Sequence, residues 1–468
     1  MLGGWKLMWR ALAAVVLAVG VIPGVATAAP QAPLHRWDAT TLTVEPLGGA
    51  LQLGAVAYRG HFQVRVEGGV VKVVNELPVE DYVRGIREVP PSWPIEAQRA
   101  QAIAARSYAL HQATRARAEG RRSDLCATAA CQVYAGIPAE QRGGPQWARA
   151  VESTTAQVLA FRGAPILAMY SSSNGGRSVA GSKPYLRSVP DPDDAASPHH
   201  RWRVEVPELA IGSAVDLPVG AVLTGVERDG PVVIARWAGP DTTSLETARP
   251  IPVAEFRNRL EAAHPAPPEL PRLLPSTAFG LTAGSVDGQI AIEGQGWGHG
   301  MGMSQHGSLG KARRGMKAAE ILAFYYAGLR PVTAGPGQVP ETIRVEIAAT
   351  TTTQLAGQGD FRVLADGRPL ATGSGPAAWK IVAKGANLAL TAPAGWQPPQ
   401  PAAPVGTSDP FEMAAVPALE VTPAAAAGRA TTWSSGLWRF VALGLLGGVI
   451  VMSRRLAGWP DPALMRGE

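Results

Sequence analysis

Residues 77–110 read LPVEDYVRGIREVPPSWPIEAQRAQAIAARSYAL. From Pro94 to about Ala118 the chain is rich in Ala, Arg and Gln, with no further Pro and no Gly before Gly120. That predicts a long helix with Pro94 in its first turn. At 100° per residue, Ile95, Ala102, Ile103, Ala109 and Leu110 fall on one apolar arc with Arg106 in its middle. A guanidinium on a core-facing arc needs an anion or a hydrogen-bond network to meet it. Arg106 is therefore either half of a structural salt bridge or a ligand contact, and Arg99 shares the arc. Just ahead of the helix, Glu88 stands before the Pro90-Pro91 turn, flanked by Ile86, Val89 and Trp93. A carboxyl group partly desolvated there would have a raised pKa, in the working range of a general acid. An exposed loop glutamate is the alternative.

Outward from this stretch the pattern changes. Residues 41–75 alternate polar and apolar with Gly pairs at turns, which is strand sequence. Short strands return over 151–210, a Pro-rich break falls at 262–276, and Lys317–Tyr326 is an amphipathic helix. The fold class expected is α+β, with a main domain over 36–330. A small β module is expected at 338–396, and a Pro/Ala-rich linker at 397–430. The N-terminus has a basic start (Lys6, Arg10), a 12-residue apolar run and small residues at Ala26 and Ala28, the pattern of a cleavable export signal over 1–28. Residues 433–453, with Trp433, Trp438 and the following Arg454-Arg455 pair, fit a membrane helix with its aromatic belt and a cytoplasmic tail at 454–468. An uncleaved anchor and an amphipathic C-terminal helix are the competing readings.

Composition narrows the function. The 468 residues are 46% hydrophobic and 17% charged, which excludes a wholly disordered polyelectrolyte. The net charge of +6 is spread along the chain and does not argue for nucleic acid. GQGWGHGMGMSQHG (294–307) is glycine-rich, but no Lys-Ser/Thr follows and no strand-to-helix unit frames it, so a phosphate cradle is not expected. The glycines surround Trp297, His299, Ser304, Gln305 and His306, and Trp with Gln and His suits the apolar faces and hydroxyl edges of a sugar; a tight structural turn is the other reading. AMYSSSNGGRS (168–178) brings Tyr170, Ser171, Ser172, Ser173, Gly175 and Gly176 after a strand, where they would line a polar cleft. Cys126 and Cys131 have no nearby His, make a poor zinc site and are read as a local disulfide in an exported protein. No cofactor and no metal are expected. No G-x-S-x-G or H-E-x-x-H is present.

Taken in order, LPVEDYVRGIREVPPSWPIEAQRAQAIAARSYAL, CQVYAG (131–136), YSSSNGGRS (170–178), PYLRSVPDPDD (184–194) and GWGHGMGMSQHG (296–307) resemble the stage II sporulation protein D family, the SpoIID/LytB group of peptidoglycan-acting proteins. The resemblance covers roughly residues 40–330. It implies a groove for an extended glycan and a lytic transglycosylase, which cleaves the MurNAc–GlcNAc β-1,4 bond without water and leaves a 1,6-anhydro-MurNAc end, on glycan stripped of its stem peptides. The family's catalytic glutamate falls on Glu88 and the arginine of its A-R-[ST]-Y motif on Arg106. Trp93, Tyr170, Ser171, Ser172, Ser173, Gly175, Gly176, Tyr185, Trp297, His299, Ser304 and Gln305 would bind substrate. A non-catalytic, glycan-binding enhancer of a cell-wall amidase is the alternative role. The expected partners are peptidoglycan strands, a cell-wall amidase and the membrane, and the expected location is the outer face of the cell envelope.

Overall fold

A computed structural model describes residues 35–239 and 247–398. The export signal, the linker beyond Pro398, the membrane segment and the tail lie outside the described residues. No helix among the described residues is long and apolar enough to cross a membrane. The architecture is α+β.

Two antiparallel sheets form the base. One has seven strands in the order Arg368–Ser374, Asp360–Ala365, Thr41–Pro46, His61–Glu67, Val70–Pro78, Thr342–Thr350 and Leu125–Cys126, with only the last pairing parallel. The other has six: Arg36–Ala39, Asn387–Thr391, Trp379–Lys384, Thr352–Gly357, Leu51–Leu53 and Val56–Tyr58. Alternate residues along the strands, among them Leu42, Val44, Phe62, Val64, Val71 and Val73, are buried, as period-2 strands with one face inward require. Trp379, Phe361, Phe62 and Leu51 belong to the shared core.

Residues 338–396 are β-rich, as the sequence implied, but they are not a module of their own. Thr342–Thr350 pairs along its length with Val70–Pro78, Asp360–Ala365 pairs with Thr41–Pro46, and Asn387–Thr391 pairs with Arg36–Ala39. The entry segment and the C-terminal strands complete each other's sheets. The physical reason is that neither set has enough strands to cover a core alone.

Seven helices are found among the described residues: α1 (Val79–Arg84), α2 (Ile95–Ala118), α3 (Ile137–Glu152), α4 (Glu208–Ala214), α5 (Val253–Ala263), α6 (Gln305–Arg313) and α7 (Ala318–Tyr325). The long helix expected after Pro94 is α2, with Pro94 as its N-cap. It is buried on more than the one arc: Ala97, Ala100, Ala104, Ala105, Ala113 and Ala116 are all inside. The small Ala side chains let α1, α3, α6 and α7 pack against it from several sides.

Residues 201–295 form an excursion from this body. The chain leaves along Arg201–Pro207 and returns along Gln289–Gln295, paired antiparallel with Arg201 opposite Gln295. These two strands with Phe279–Ala283 form one three-stranded sheet, Val222–Asp229, Val232–Ala238 and Thr247–Pro252 form another, and with α4 and α5 they enclose a separate apolar cluster that includes Val206, Ile211, Val215, Phe256, Leu260 and Ile292.

Candidate active site

The loop between α1 and α2 is pinned by backbone pairing: Arg87 N–H donates to the Val133 carbonyl, and Ile86 bridges Tyr134. Pinning the loop fixes Glu88, whose Oε1 accepts a hydrogen bond of 2.7 Å from Val133 N–H. Burial pushes the Glu88 carboxyl above the ordinary carboxylate range; the Val133 N–H and the Gln305 side chain, both stabilising the anion, pull less strongly the other way. The expected carboxyl with a raised pKa is thus present.

Glu88 faces a cleft of about 640 Å³. Trp93, Tyr108, Tyr170 and Trp297 supply aromatic walls, and Ser171, Ser172, His299, Gln305 and His306 supply polar edges. Among the described residues lining it, Glu88 is the only carboxylate. Asp81, Glu96 and Asp191, the other carboxylates a two-acid mechanism would draw on, are engaged elsewhere: Asp81 lies 4.0 Å from Arg59, Glu96 pairs with Arg99, and Asp191 is buried against Lys311. Beneath Glu88 runs a buried chain in which Tyr82 O–H donates to Gln132 Oε1, and Gln132 Nε2 donates to the Tyr170 hydroxyl at 2.8 Å. Burial, and next the neighbouring Glu88 carboxyl when ionised, hold the Tyr170 hydroxyl well above the ordinary phenol range.

The serine block and the glycine block are laced together behind the cleft. Tyr170–Ser171 pairs in parallel with Met303–Ser304, and Ser173 bridges Trp297. The approach needs glycine: at Gly298 (φ +102°) a Cβ would lie 2.8 Å from that of Ser171, and at Gly302 (φ +68°) it would collide with the Met169 carbonyl. Asp194, fully buried, is the knot. It accepts from Ser173 Oγ (2.7 Å), Ser304 Oγ (2.5 Å), the N–H groups of Asn174 and Gly175, and His200 Nδ1. Burial alone would raise its pKa, but these donors outweigh burial and hold it below the ordinary carboxylate value. Asp191 in turn accepts hydrogen bonds from Asn174 Nδ2, Lys311 Nζ and Tyr325 O–H.

The expected substrate-binding residues therefore divide. Trp93, Tyr170, Ser171, Ser172, Trp297, His299 and Gln305 line the cleft with Glu88. Ser173, Gly175 and Ser304 are buried in the Asp194 network, with Ser304 also capping α6 through Gly307 N–H. Gly176 borders His200 behind it. Tyr185 is apart from the cleft: its hydroxyl accepts from Leu167 N–H and its ring packs on Phe161. His299 spends its ring on the backbone, accepting from Met301 N–H at 3.0 Å and bonding to Tyr170, and surrounding protein lowers its pKa.

Arg106 also lies outside the cleft. It is 1% exposed and makes a two-pronged pair with Glu80 of α1, at 2.9 and 2.6 Å, while a third nitrogen donates to the Gln157 carbonyl. Of the two sequence readings the structure selects the salt bridge. Cys126 and Cys131 are joined by a disulfide, and Cys131 borders the cleft. No cluster of metal-ligating side chains occurs among the described residues. Sequence reasoning did not single out Tyr108, Gln132, Val133 N–H or the Asp194 knot; the acidic run DPDD was the one available signal for the last.

Fold and site together define a protein with one protonatable carboxyl in an aromatic-walled cleft. The family described as SpoIID, stage II sporulation protein, matches residues 67–161. An uncharacterized protein of Brachyspira hyodysenteriae is 30% identical over 293 residues, covering 59% of this chain and 73% of that one. Stage II sporulation protein D of Bacillus amyloliquefaciens is 28% identical over 276 residues, 55% of this chain and 74% of that one. The amidase enhancer of Bacillus subtilis is 26% identical over 287 residues, 52% of this chain but only 38% of that longer protein. The chain belongs to the SpoIID family.

Proposed function

We propose that the protein is a lytic transglycosylase acting on the glycan strands of peptidoglycan, preferring strands stripped of stem peptide. The observation that carries this is the solitary Glu88: a glycosidase that uses water needs two flanking carboxylates, and the cleft offers one. One suffices when the sugar supplies its own nucleophile. Glu88 donates its proton to the glycosidic oxygen as the C1–O bond breaks. The 6-hydroxyl of the same MurNAc closes on C1, and Glu88 takes up that hydroxyl's proton, returning to its starting state. Trp93 and Trp297 offer faces for sugar rings, and the Tyr170 O–H, whose oxygen already accepts from Gln132, has its hydrogen free to donate into the cleft.

The test is Glu88→Gln in the full chain with peptide-free glycan. Cleavage should fall about 10²–10⁴-fold, the range of a positioned acid, while binding persists, and wild-type digests should carry 1,6-anhydro ends. Free reducing ends in those digests would overturn the reading. A second role, favoured by the amidase enhancer among the relatives, is glycan binding that stimulates a wall amidase. It would leave Glu88→Gln as effective as wild type in a mixed amidase assay. Either role places the protein at the outer face of the envelope, exported by residues 1–28 and held by residues 433–453.

A further inference from the structure

Glu88 borders a second hollow as well. This one, of about 510 Å³, is walled by the Ile86–Pro91 loop on one side and by Ala139, Arg142, Gly143 and Trp147 of α3 on the other. Two arginines, Arg87 and Arg142, face it. Most arginines around this part of the body are spoken for: Arg59 by Glu140, Arg84 by Glu152, Arg99 by Glu96 and Arg106 by Glu80. The guanidinium groups of Arg87 and Arg142 have no hydrogen-bond or ion-pair partner among the described residues. The hollow is also built rather than loose. Trp147 Nε1 donates to the Arg84 carbonyl, Arg87 N–H to the Val133 carbonyl, and Gly143 lets the chain pass where a Cβ would meet Trp147 at 2.9 Å.

We propose that this hollow is an anionic subsite, in which Arg87 and Arg142 bind a carboxylate carried by the glycan strand; it adjoins the aromatic cleft, with Arg87, Glu88 and Pro90 lining both. The proposal rests on the reading of the cleft as a glycan site and adds what that reading lacks, a group that distinguishes MurNAc strands from other β-1,4 N-acetylglucosamine polymers. Guanidinium groups suit a carboxylate through paired N–H···O bonds. A peptidoglycan strand offers that chemistry from two sources: the lactyl group of MurNAc once its peptide amide has been hydrolysed, or the carboxylates of an intact stem peptide. Only the first sits directly on the sugar ring, within reach of a pocket that touches Glu88.

The experiment measures binding to the full-length Glu88→Gln chain, which does not turn over, with three probes: peptide-free glycan strands, peptide-bearing strands and a chitooligosaccharide of equal length. Peptide-free strands should bind most tightly. Arg142→Ala and Arg87→Ala should each weaken that binding about tenfold to a hundredfold, as loss of a hydrogen bond to a charged group does, and leave the chitooligosaccharide within about twofold. The difference should shrink as salt rises. Both side chains are exposed, so the variants should fold, which a melting curve checks. If peptide-bearing strands bind best and the arginine variants abolish that preference, the carboxylate belongs to the stem peptide. Equal binding of peptide-free glycan and chitooligosaccharide, indifferent to both arginines, overturns the subsite while leaving the glycan site intact. Failure of all three probes to bind overturns the glycan reading itself, and the subsite with it.

Discussion

At residue 88 a single side chain faces opposing influences. Burial favours its neutral form, and two hydrogen-bond donors favour its anion, with burial the stronger. The sign has two consequences. An acid catalyst works only while protonated, so cleavage should decline as pH rises through the folded-state pKa, and that alkaline limb should sit above the ordinary glutamate value of about 4.3. The same shift bears on stability. A carboxyl whose pKa is raised by folding binds its proton more tightly in the native state, so folding loses free energy as pH rises through that pKa. Glu88→Gln, which keeps an oxygen for Val133 N–H but cannot ionise, should therefore melt above wild type at neutral pH and level with it in acid. Thermal melts at several pH values check this; a variant less stable than wild type at neutral pH would mean that the carboxylate is welcome where it sits.

Among the elements, α2 shows what periodicity conveys and what it does not. Its extent, its Pro94 start and the inward position of Arg106 were all legible, because they depend on local propensity and on one buried face. The partner of Arg106 was not, because Glu80 belongs to another helix, and angle on a helical wheel cannot tell a carboxylate of the protein from one of a ligand. The same limit explains Ser173 and Ser304: hydroxyl-rich sequence marks a polar environment, yet only the fold shows that Asp194 lies behind them. Arg106 clamps α1 to α2 and to the Gln157 carbonyl. Arg106→Ala should thus cost about 2 kcal/mol of stability, as losing charged hydrogen bonds in a half-buried ion pair does, while cleavage measured well below the melting temperature stays within about threefold of wild type. Arg106→Lys should recover part of the stability, since a single ammonium replaces one prong of the fork. A large loss of cleavage in a variant that melts normally would return Arg106 to the catalytic machinery.

Across the whole molecule, the order of strands in the sheets decides which segments are removable. Residues 338–396 look detachable in sequence, since turn spacing and alternation are local signals and strand pairing across some three hundred residues leaves none. In the structure Thr342–Thr350 lies between Val70–Pro78 and Leu125–Cys126, so a chain ending before residue 338 exposes the edge of Val70–Pro78 and uncovers Phe62 and Leu51. Such a chain should be insoluble. Residues 203–293 look integral in sequence, lying between the serine and glycine blocks, yet the excursion leaves and returns on neighbouring strands and has its own apolar cluster. Trp202 pairs with Gly294, so replacing residues 203–293 with Asn-Gly, the pair that suits a two-residue hairpin turn, should reconnect the body, at the loss of the bonds that the Pro275 and Ala278 carbonyls accept from Gly298 and Gln295 N–H. The shortened protein should melt cooperatively and cleave peptide-free glycan with the same alkaline limb, because every residue lining the cleft is retained. Broad, non-cooperative melting, or a cleft that no longer binds glycan, would show instead that the excursion braces the Asp194 knot through His200 and the return strand.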